Sequence, residues 1–255
     1  MQKSDISWTE RTWNPTTGCN KVSQECKFCY AETIANRFWG ERKFTDVISH
    51  EDRLHYPVSL KKPSMIFVNS MSDLFHEKVS NDFIREVYFR MALSQQHTFQ
   101  VLTKRPERFI EFYTYLNGYV GKYDCGSYIN NWYRSGMKNL WLGVSAGNVH
   151  TFDERRFFLS QTPAAVKFIS LEPLLGNINF DFSEVSKPDW IIVGCESGAK
   201  RRECKIEWIE NIVNQCKDFE IPVFVKQMEI NGKVCKNIED FPKHLQIQEY
   251  PIALV

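Results

Sequence analysis

Six short runs of aliphatic, β-branched and aromatic residues recur along the chain, at 64–68, 99–102, 140–144, 166–171, 190–193 and 222–225. Most are continuously apolar rather than alternating, the pattern of strands covered on both faces in a parallel sheet. Each ends in a cluster of polar, charged or glycine residues, and a longer amphipathic segment usually follows. Residues 81–93 open on capping residues and carry apolar positions at helical spacing. Residues 106–115 and 206–219 read the same way, and a further helix is expected from Tyr30 to about Arg42. Strand, helix and strand in repetition mean βαβ units and a parallel sheet. A weaker seventh strand is expected at 12–14.

The expected fold is therefore α/β, a single-domain complete or partial (β/α) barrel of about six to seven parallel strands. A doubly wound open sheet is the alternative. Residues 117–138 interrupt the rhythm with Gly118, Gly121, Gly126 and Gly136 among Tyr119, Tyr123, Tyr128, Trp132 and Tyr133, and read as an insertion or lid. The rhythm stops after Gln227, where Asn231-Gly232 is a strong hairpin signal. The expected division is a barrel over 1–227 and a C-terminal extension over 228–255 packed on it.

Composition narrows the class. A chain of 255 residues with 43% apolar and 25% charged residues is ordinary globular protein, not a disordered chain, a fibre or a disulfide miniprotein. Lys and Arg number 32 against 31 Asp and Glu, so no whole-protein basic field marks a non-specific nucleic-acid binder, although a local patch stays open. No apolar run approaches the roughly 20 residues that span a bilayer. The start has neither an apolar stretch nor a small-residue cleavage site. A cytoplasmic, reducing location away from membranes is expected, where eight cysteines point to metal binding or catalysis before disulfides.

Three of those cysteines, Cys19, Cys26 and Cys29, fall within eleven residues as C-x6-C-x2-C. A closing Cys-x-x-Cys lets two thiolates face one centre from a tight loop, and thiolates suit zinc and iron–sulfur clusters. Structural zinc needs a fourth ligand, from His50, His55 or a later cysteine. Three buried free thiols are a second reading. A [4Fe–4S] cluster on three cysteines, with one iron open to a small molecule, is the third. Tyr30, directly after the last cysteine, favours it. The other chemistry-bearing residues sit where strands end, the working rim of an α/β barrel. They are Asn69-Ser70-Met71-Ser72-Asp73, Thr103-Lys104-Arg105, Ser145-Ala146-Gly147-Asn148, Glu172-Pro173, Gly194-Cys195-Glu196-Ser197-Gly198 and Lys226-Gln227. No phosphate loop, dinucleotide fingerprint or nucleophile elbow is present.

In this order the chain also carries Trp13-Asn14-Pro15-Thr16-Thr17-Gly18-Cys19, Cys26-x-x-Cys29-Tyr30-Ala31-Glu32, Asn69-Ser70-Met71-Ser72-Asp73-Leu74-Phe75, Leu102-Thr103-Lys104-Arg105-Pro106-Glu107-Arg108, Gly143-Val144-Ser145, Leu171-Glu172-Pro173-Leu174-Leu175-Gly176, Gly194-Cys195-Glu196-Ser197-Gly198 and Val225-Lys226-Gln227. On these motifs it resembles the radical S-adenosylmethionine superfamily, and more narrowly a phage-associated family with a three-cysteine motif. The usual superfamily motif is C-x3-C-x2-C; the longer first spacing belongs to the narrower family. Cys195 stands where the family pattern has a second glycine.

The resemblance implies an iron-sulfur enzyme in which a [4Fe–4S] cluster on Cys19, Cys26 and Cys29 binds S-adenosylmethionine and a reductant such as flavodoxin or ferredoxin supplies the electron. Reductive cleavage yields a 5′-deoxyadenosyl radical that abstracts hydrogen from a substrate. Cofactor contacts would come from Tyr30, Asn69, Ser70, Ser72, Asp73, Lys104, Ser145, Asn148 and Glu172. Substrate contacts would come from Arg105, Ser197, Arg201, Arg202, Lys226 and Gln227, with Cys195 and Glu196 as catalytic residues. The cations at 200–202 suit a phosphate, and so a nucleic-acid base or nucleotide substrate. Each group also has a structural reading. Asp73 can tie a loop, Glu172 can make a structural hydrogen bond, the cations can be a solvated face, and Cys195 can be a small buried hydrophobe. The alternative function is a zinc- or cluster-stabilised binding module without turnover.

Overall fold

A computed structural model describes residues 2–122 and 136–251. In chain order the elements are β1 (Gln2–Lys3), β2 (Arg11–Trp13), β3 (Thr16–Thr17), α1 (Tyr30–Phe38), β4 (Ile48–Ser49), α2 (Tyr56–Ser59) and β5 (Met65–Val68). There follow α3 (Asn81–Leu93), β6 (Thr98–Thr103), α4 (Glu107–Lys122), β7 (Leu140–Ser145), α5 (Val149–Ser160), β8 (Val166–Leu171), β9 (Trp190–Gly194), α6 (Ile206–Asp218), β10 (Val223–Ile230) and β11 (Lys233–Cys235). One nine-stranded sheet has the order β1-β2-β5-β6-β7-β8-β9-β10-β11. From β2 to β10 every pairing is parallel; only the edges β1 and β11 are antiparallel. Spatial order follows chain order without reversal, so the sheet is singly wound and the doubly wound alternative is excluded.

The two faces differ in chemistry. Ile66, Val68, Val101, Val144, Ile169, Ile191, Val193 and Val225 pack into the aliphatic core shared with the helices. The alternate positions Phe67, Trp141, Phe168, Trp190, Ile192 and Phe224 form a second cluster around Trp8. Trp8 touches Phe67 of β5 at 4.8 Å between ring centroids and Trp190 of β9 at 6.3 Å. In a flat sheet those strands would stand roughly 19 Å apart, four steps of about 4.8 Å. One indole reaches both, so the sheet curls around it as a partial (β/α) barrel with an aromatic interior. Among the described residues no pairing joins β2 to β10. Instead the C-terminal segment runs along β10: Val225 donates its N–H to the Ile247 carbonyl at 2.9 Å, and Glu249 to that of Val223 at 3.0 Å.

Several expectations are corrected locally. Helix α1 stops at Phe38 rather than near Arg42, because Gly40 takes a left-handed φ of +62° just beyond it. Helix α4 runs through Gly118 to Lys122, so the expected insertion begins as a continuation of that helix. Residues 123–135 of that segment lie outside the described residues. Helix α5 was not expected from the pattern. Its buried face is Thr151, Phe152, Arg155 and Leu159, half polar, which hides the period. The hairpin at Asn231-Gly232 is present, with both turn residues at positive φ between paired Ile230 and Lys233. Beyond it, Phe241 and Leu245 join the same core as Met228.

Candidate functional site

Parallel strands put all their carboxyl ends on one rim, and the cysteine loop crosses that rim from β3. The crossing depends on Gly18, whose φ is +94° and whose missing Cβ would run into the Asp46 carbonyl. Gly18 donates its N–H to the Met71 carbonyl at 3.0 Å, and Cys19 to that of Phe44 at 2.8 Å. Cys19, Cys26 and Cys29 are all half-buried free thiols. Cys19 and Cys29 pack against a small cluster of Ala31, Ala35 and Phe44, beside Trp39 and Met71. Among the described residues no three His, Cys, Asp or Glu side chains are gathered into a ready metal site.

Charge around the thiols is uneven. Arg105, 3% exposed, reaches Cys19 Sγ with Nη1 at 3.5 Å, Asp73 at 3.1 Å and the Asn20 carbonyl with Nη2 at 3.1 Å. It also donates to Asn20 Oδ1 and lies 3.3 Å from Glu77. Asp73 is equally committed. Its carboxylate accepts from Phe75 N–H at 3.0 Å, Thr103 Oγ1 at 2.7 Å, Lys104 N–H at 3.1 Å and Arg105. Burial and the Asp73 carboxylate push the Cys19 thiol up to about 11, against the Arg105 cation. At Cys26 burial again raises the thiol. It is outweighed by the Lys104 ammonium, backbone donors at Val22 and Ser23 and the Ser23 hydroxyl, so its pKa falls below the ordinary 9.0.

Two struts hold the cysteine loop from the far side of the barrel: Glu25, which the sequence pattern does not single out, and Arg202, expected from the sequence as a substrate contact. Glu25, 4% exposed, accepts from Gly147 N–H at 2.9 Å and Thr151 Oγ1 at 2.6 Å. A Cβ on Gly147 would come within 2.7 Å of Glu25 Cγ, so the glycine makes room for this strut. Hydrogen bonds to Ser23, Thr151 and its own backbone, together with Arg155, overcome burial and hold Glu25 below its usual 4.5. The second strut is Arg202. Its Nη1 donates to the Gln24 carbonyl at 3.0 Å, and its guanidinium lies 5.6 Å from the Phe28 ring centre. Nε and Nη2 grip both oxygens of Glu196 at 2.9 and 2.6 Å.

A second set of polar groups lines the rim from β7 to β10. Lys226 Nζ lies 2.9 Å from Glu172 Oε1, an ion pair without hydrogen-bond alignment, so Oε1 has no hydrogen-bond partner among the described residues. Ser170 donates to Glu172 Oε2 at 3.1 Å, and Ser145 to the Glu172 carbonyl at 3.1 Å. Gly194 lets the carboxylate lie close: a Cβ there would stand 2.9 Å from Oε1. Across the rim, Tyr30 donates its hydroxyl to the Ser70 carbonyl at 2.6 Å.

The expected site residues thus divide. Glu172, Lys226, Ser145, Lys104 and Tyr30 sit on or beside the rim with the cysteines. Asn69 is buried at φ +66° with Oδ1 unpartnered, Ser70 donates to Asn14 at 3.2 Å, and Ser72 bonds Thr16 at 2.8 Å, so this loop is tied to β2 and β3. Asn148 caps α5 by accepting Thr151 N–H at 3.0 Å. Gln227 donates to the Cys195 carbonyl at 2.6 Å. Cys195 packs in the helix-side core, its thiol pushed up to about 12 by burial and by Glu229 and Glu172. Arg201 pairs with Glu229 at 3.3 Å and also donates to the Gly232 carbonyl. Ser197 is half-buried on the same loop. The arginines at 201 and 202 are therefore engaged within the chain rather than presented together.

Among the described residues no helix is long and apolar enough to cross a membrane. A family model described as a protein of unknown function, DUF5131, matches residues 3–244. No curated protein and no solved structure matches the chain.

Proposed function

The chain belongs to the DUF5131 family, whose function is unknown, and from its site we propose that it is a radical S-adenosylmethionine enzyme. The observation that carries this reading is three free, half-buried thiols on one loop at the carboxyl rim of a singly wound parallel sheet, with Lys104 and Arg105 beside two of them. The donor set suits a [4Fe–4S] cluster chemically, being three soft sulfurs with cations to offset their charge. The sulfurs are not pre-gathered, so the loop would close as the group is loaded. When bound, such a cluster supplies an open iron and an electron for reductive cleavage of S-adenosylmethionine.

The chain's own residues do the rest. Arg105 and Asp73 anchor the Cys19 segment, and Glu25 and Arg202 anchor the Cys26 segment. Lys104 favours the Cys26 thiolate. Glu172 and Lys226 offer a carboxylate oxygen and an ammonium to a zwitterionic ligand, which suits the methionyl end of the cofactor. Below them Trp141, Phe168, Trp190 and Ile192 close the interior against water. The electron donor would be a flavodoxin or ferredoxin, and the substrate a nucleic-acid base or nucleotide.

The test is anaerobic reconstitution with iron and sulfide, then dithionite and S-adenosylmethionine, with 5′-deoxyadenosine measured by chromatography. Product that vanishes in Cys26→Ala and Cys29→Ala is expected. One zinc per chain, no cluster and no product would replace the enzyme with a zinc-stabilised binding module.

A further inference from the structure

A cavity of about 390 Å³ opens beside the cysteine loop, lined by Asn14, Thr17, Trp39, Arg42, Arg53 and Met71. It falls in the size range of small-molecule sites. No cysteine lines it, so it is distinct from the thiol site, although Trp39 and Met71 pack on both.

Its chemistry is that of unspent donors. Arg42 gives Nη2 to the Thr17 carbonyl at 3.0 Å, Thr17 Oγ1 at 2.9 Å and the Asp46 carbonyl at 2.6 Å. Its Nε is buried with no partner among the described residues. Arg53 gives Nη1 to the Asn14 carbonyl at 3.2 Å, the one hydrogen bond its guanidinium makes among the described residues. Neither guanidinium forms an ion pair there. The Asp46 carboxylate acts on Arg42 only at a distance and accepts Lys43 N–H at 3.1 Å instead. Asn14 Oδ1 takes both Ser70 Oγ and Met71 N–H, which fixes the amide and leaves Nδ2 unpartnered among the described residues. Burial lowers the Arg42 pKa, and Arg53 lowers it further while Asp46 opposes. Burial and both arginines also keep His50, 2.7 Å from Thr17 Oγ1, below its ordinary value, with Asp52 opposing. Two self-repelling forks with free N–H groups match a tetrahedral oxyanion.

The cavity holds more than an oxyanion: its volume equals roughly thirteen waters' share of the liquid. One wall is the Trp39 indole, with the Arg42 guanidinium 4.1 Å from its ring centre, and Met71 adds an apolar surface. We propose that this cavity binds a nucleotide unit, its phosphate on Arg42 and Arg53 and its base or sugar against Trp39 and Met71. The site stands independently of any cluster, so it is tested on metal-free protein, and its failure would leave the radical-enzyme reading untouched.

Isothermal titration of the full chain would use three probes: AMP, inorganic phosphate and an eight-nucleotide oligothymidylate. AMP is expected to bind more tightly than phosphate and to be displaced by it. Arg53→Gln, which gives up only the bond to the Asn14 carbonyl, should weaken AMP by about tenfold or more. Arg42→Lys keeps the charge but loses the fork, and should also weaken it. Lys217→Gln, an exposed cation on α6, should leave binding unchanged. Oligonucleotide binding as tight as AMP would assign the source as a polynucleotide, and AMP binding alone would assign a free nucleotide; both support the site. Three results would overturn it: no binding of AMP at millimolar concentration, phosphate binding as tightly as AMP, or equal weakening by Arg53→Gln and Lys217→Gln.

Discussion

Two acid–base pairs sit on the same rim and do different work. Asp73 and Arg105, at the ends of β5 and β6, are nearly fully buried, and every acceptor of the carboxylate is spoken for within the chain. Glu172, just past β8, and Lys226, within β10, are closer at 2.9 Å yet poorly aligned, their side chains partly exposed, and leave one buried carboxylate oxygen without a hydrogen bond. A saturated pair can only hold structure, whereas an unsaturated one can still take a ligand. The lesson is that proximity of opposite charges does not identify a binding group; the count of unspent donors and acceptors does.

The largest way to break this contrast is Asp73→Ala. It leaves the buried Arg105 charge only the exposed Glu77 as a counter-charge and should cost about 3–5 kcal/mol in urea unfolding. Glu25→Ala should come next at about 3 kcal/mol, since it removes the shortest acceptor of Gly147 N–H and Thr151 Oγ1 and takes the carboxylate away from the buried Arg155. The same carboxylate carries a pH signature. Its folded pKa lies below 4.5, so its stabilisation is complete above that value and is lost as pH falls through the folded one. Glu25→Gln should flatten that acid limb in a series of denaturant midpoints, and an unchanged limb would remove Glu25 as its source.

Glu172→Gln sharpens the other side. Stability should move by only about 1 kcal/mol, while S-adenosylmethionine affinity of the iron-reconstituted protein, read by equilibrium dialysis, should drop about tenfold. A large loss of stability with no loss of affinity would make the pair structural after all. The smallest effect is at Lys104. Removing its charge in Lys104→Met raises the Cys26 pKa toward the ordinary value. Iodoacetamide labelling of Cys26 near neutral pH should then slow by about threefold, with Cys19 slow in both proteins.

Much of this was legible along the chain. The apolar runs fall on β5 to β10 because a strand buried on both faces leaves a continuous signature. The polar residues after them fall on one rim because parallel pairing requires it. Helix α5 was hidden, since Arg155 and Thr151 occupy its buried face to meet Glu25. The cations at 201 and 202 looked like a phosphate site because sequence records charge but not its partners, Glu229 and Glu196.

The succession of strands and helices along the chain, the interruption by the cysteine loop and the residue types at the rim follow from the sequence, because period and composition act locally. Which charges are free was decided only by the tertiary structure. Glu25 meets Gly147 from 122 residues away, and Arg202 meets Gln24 from 178. Arg42 and Arg53, unremarkable in the chain, come to share one cavity without a carboxylate. Pairing is a property of distance in space, and no local pattern encodes it.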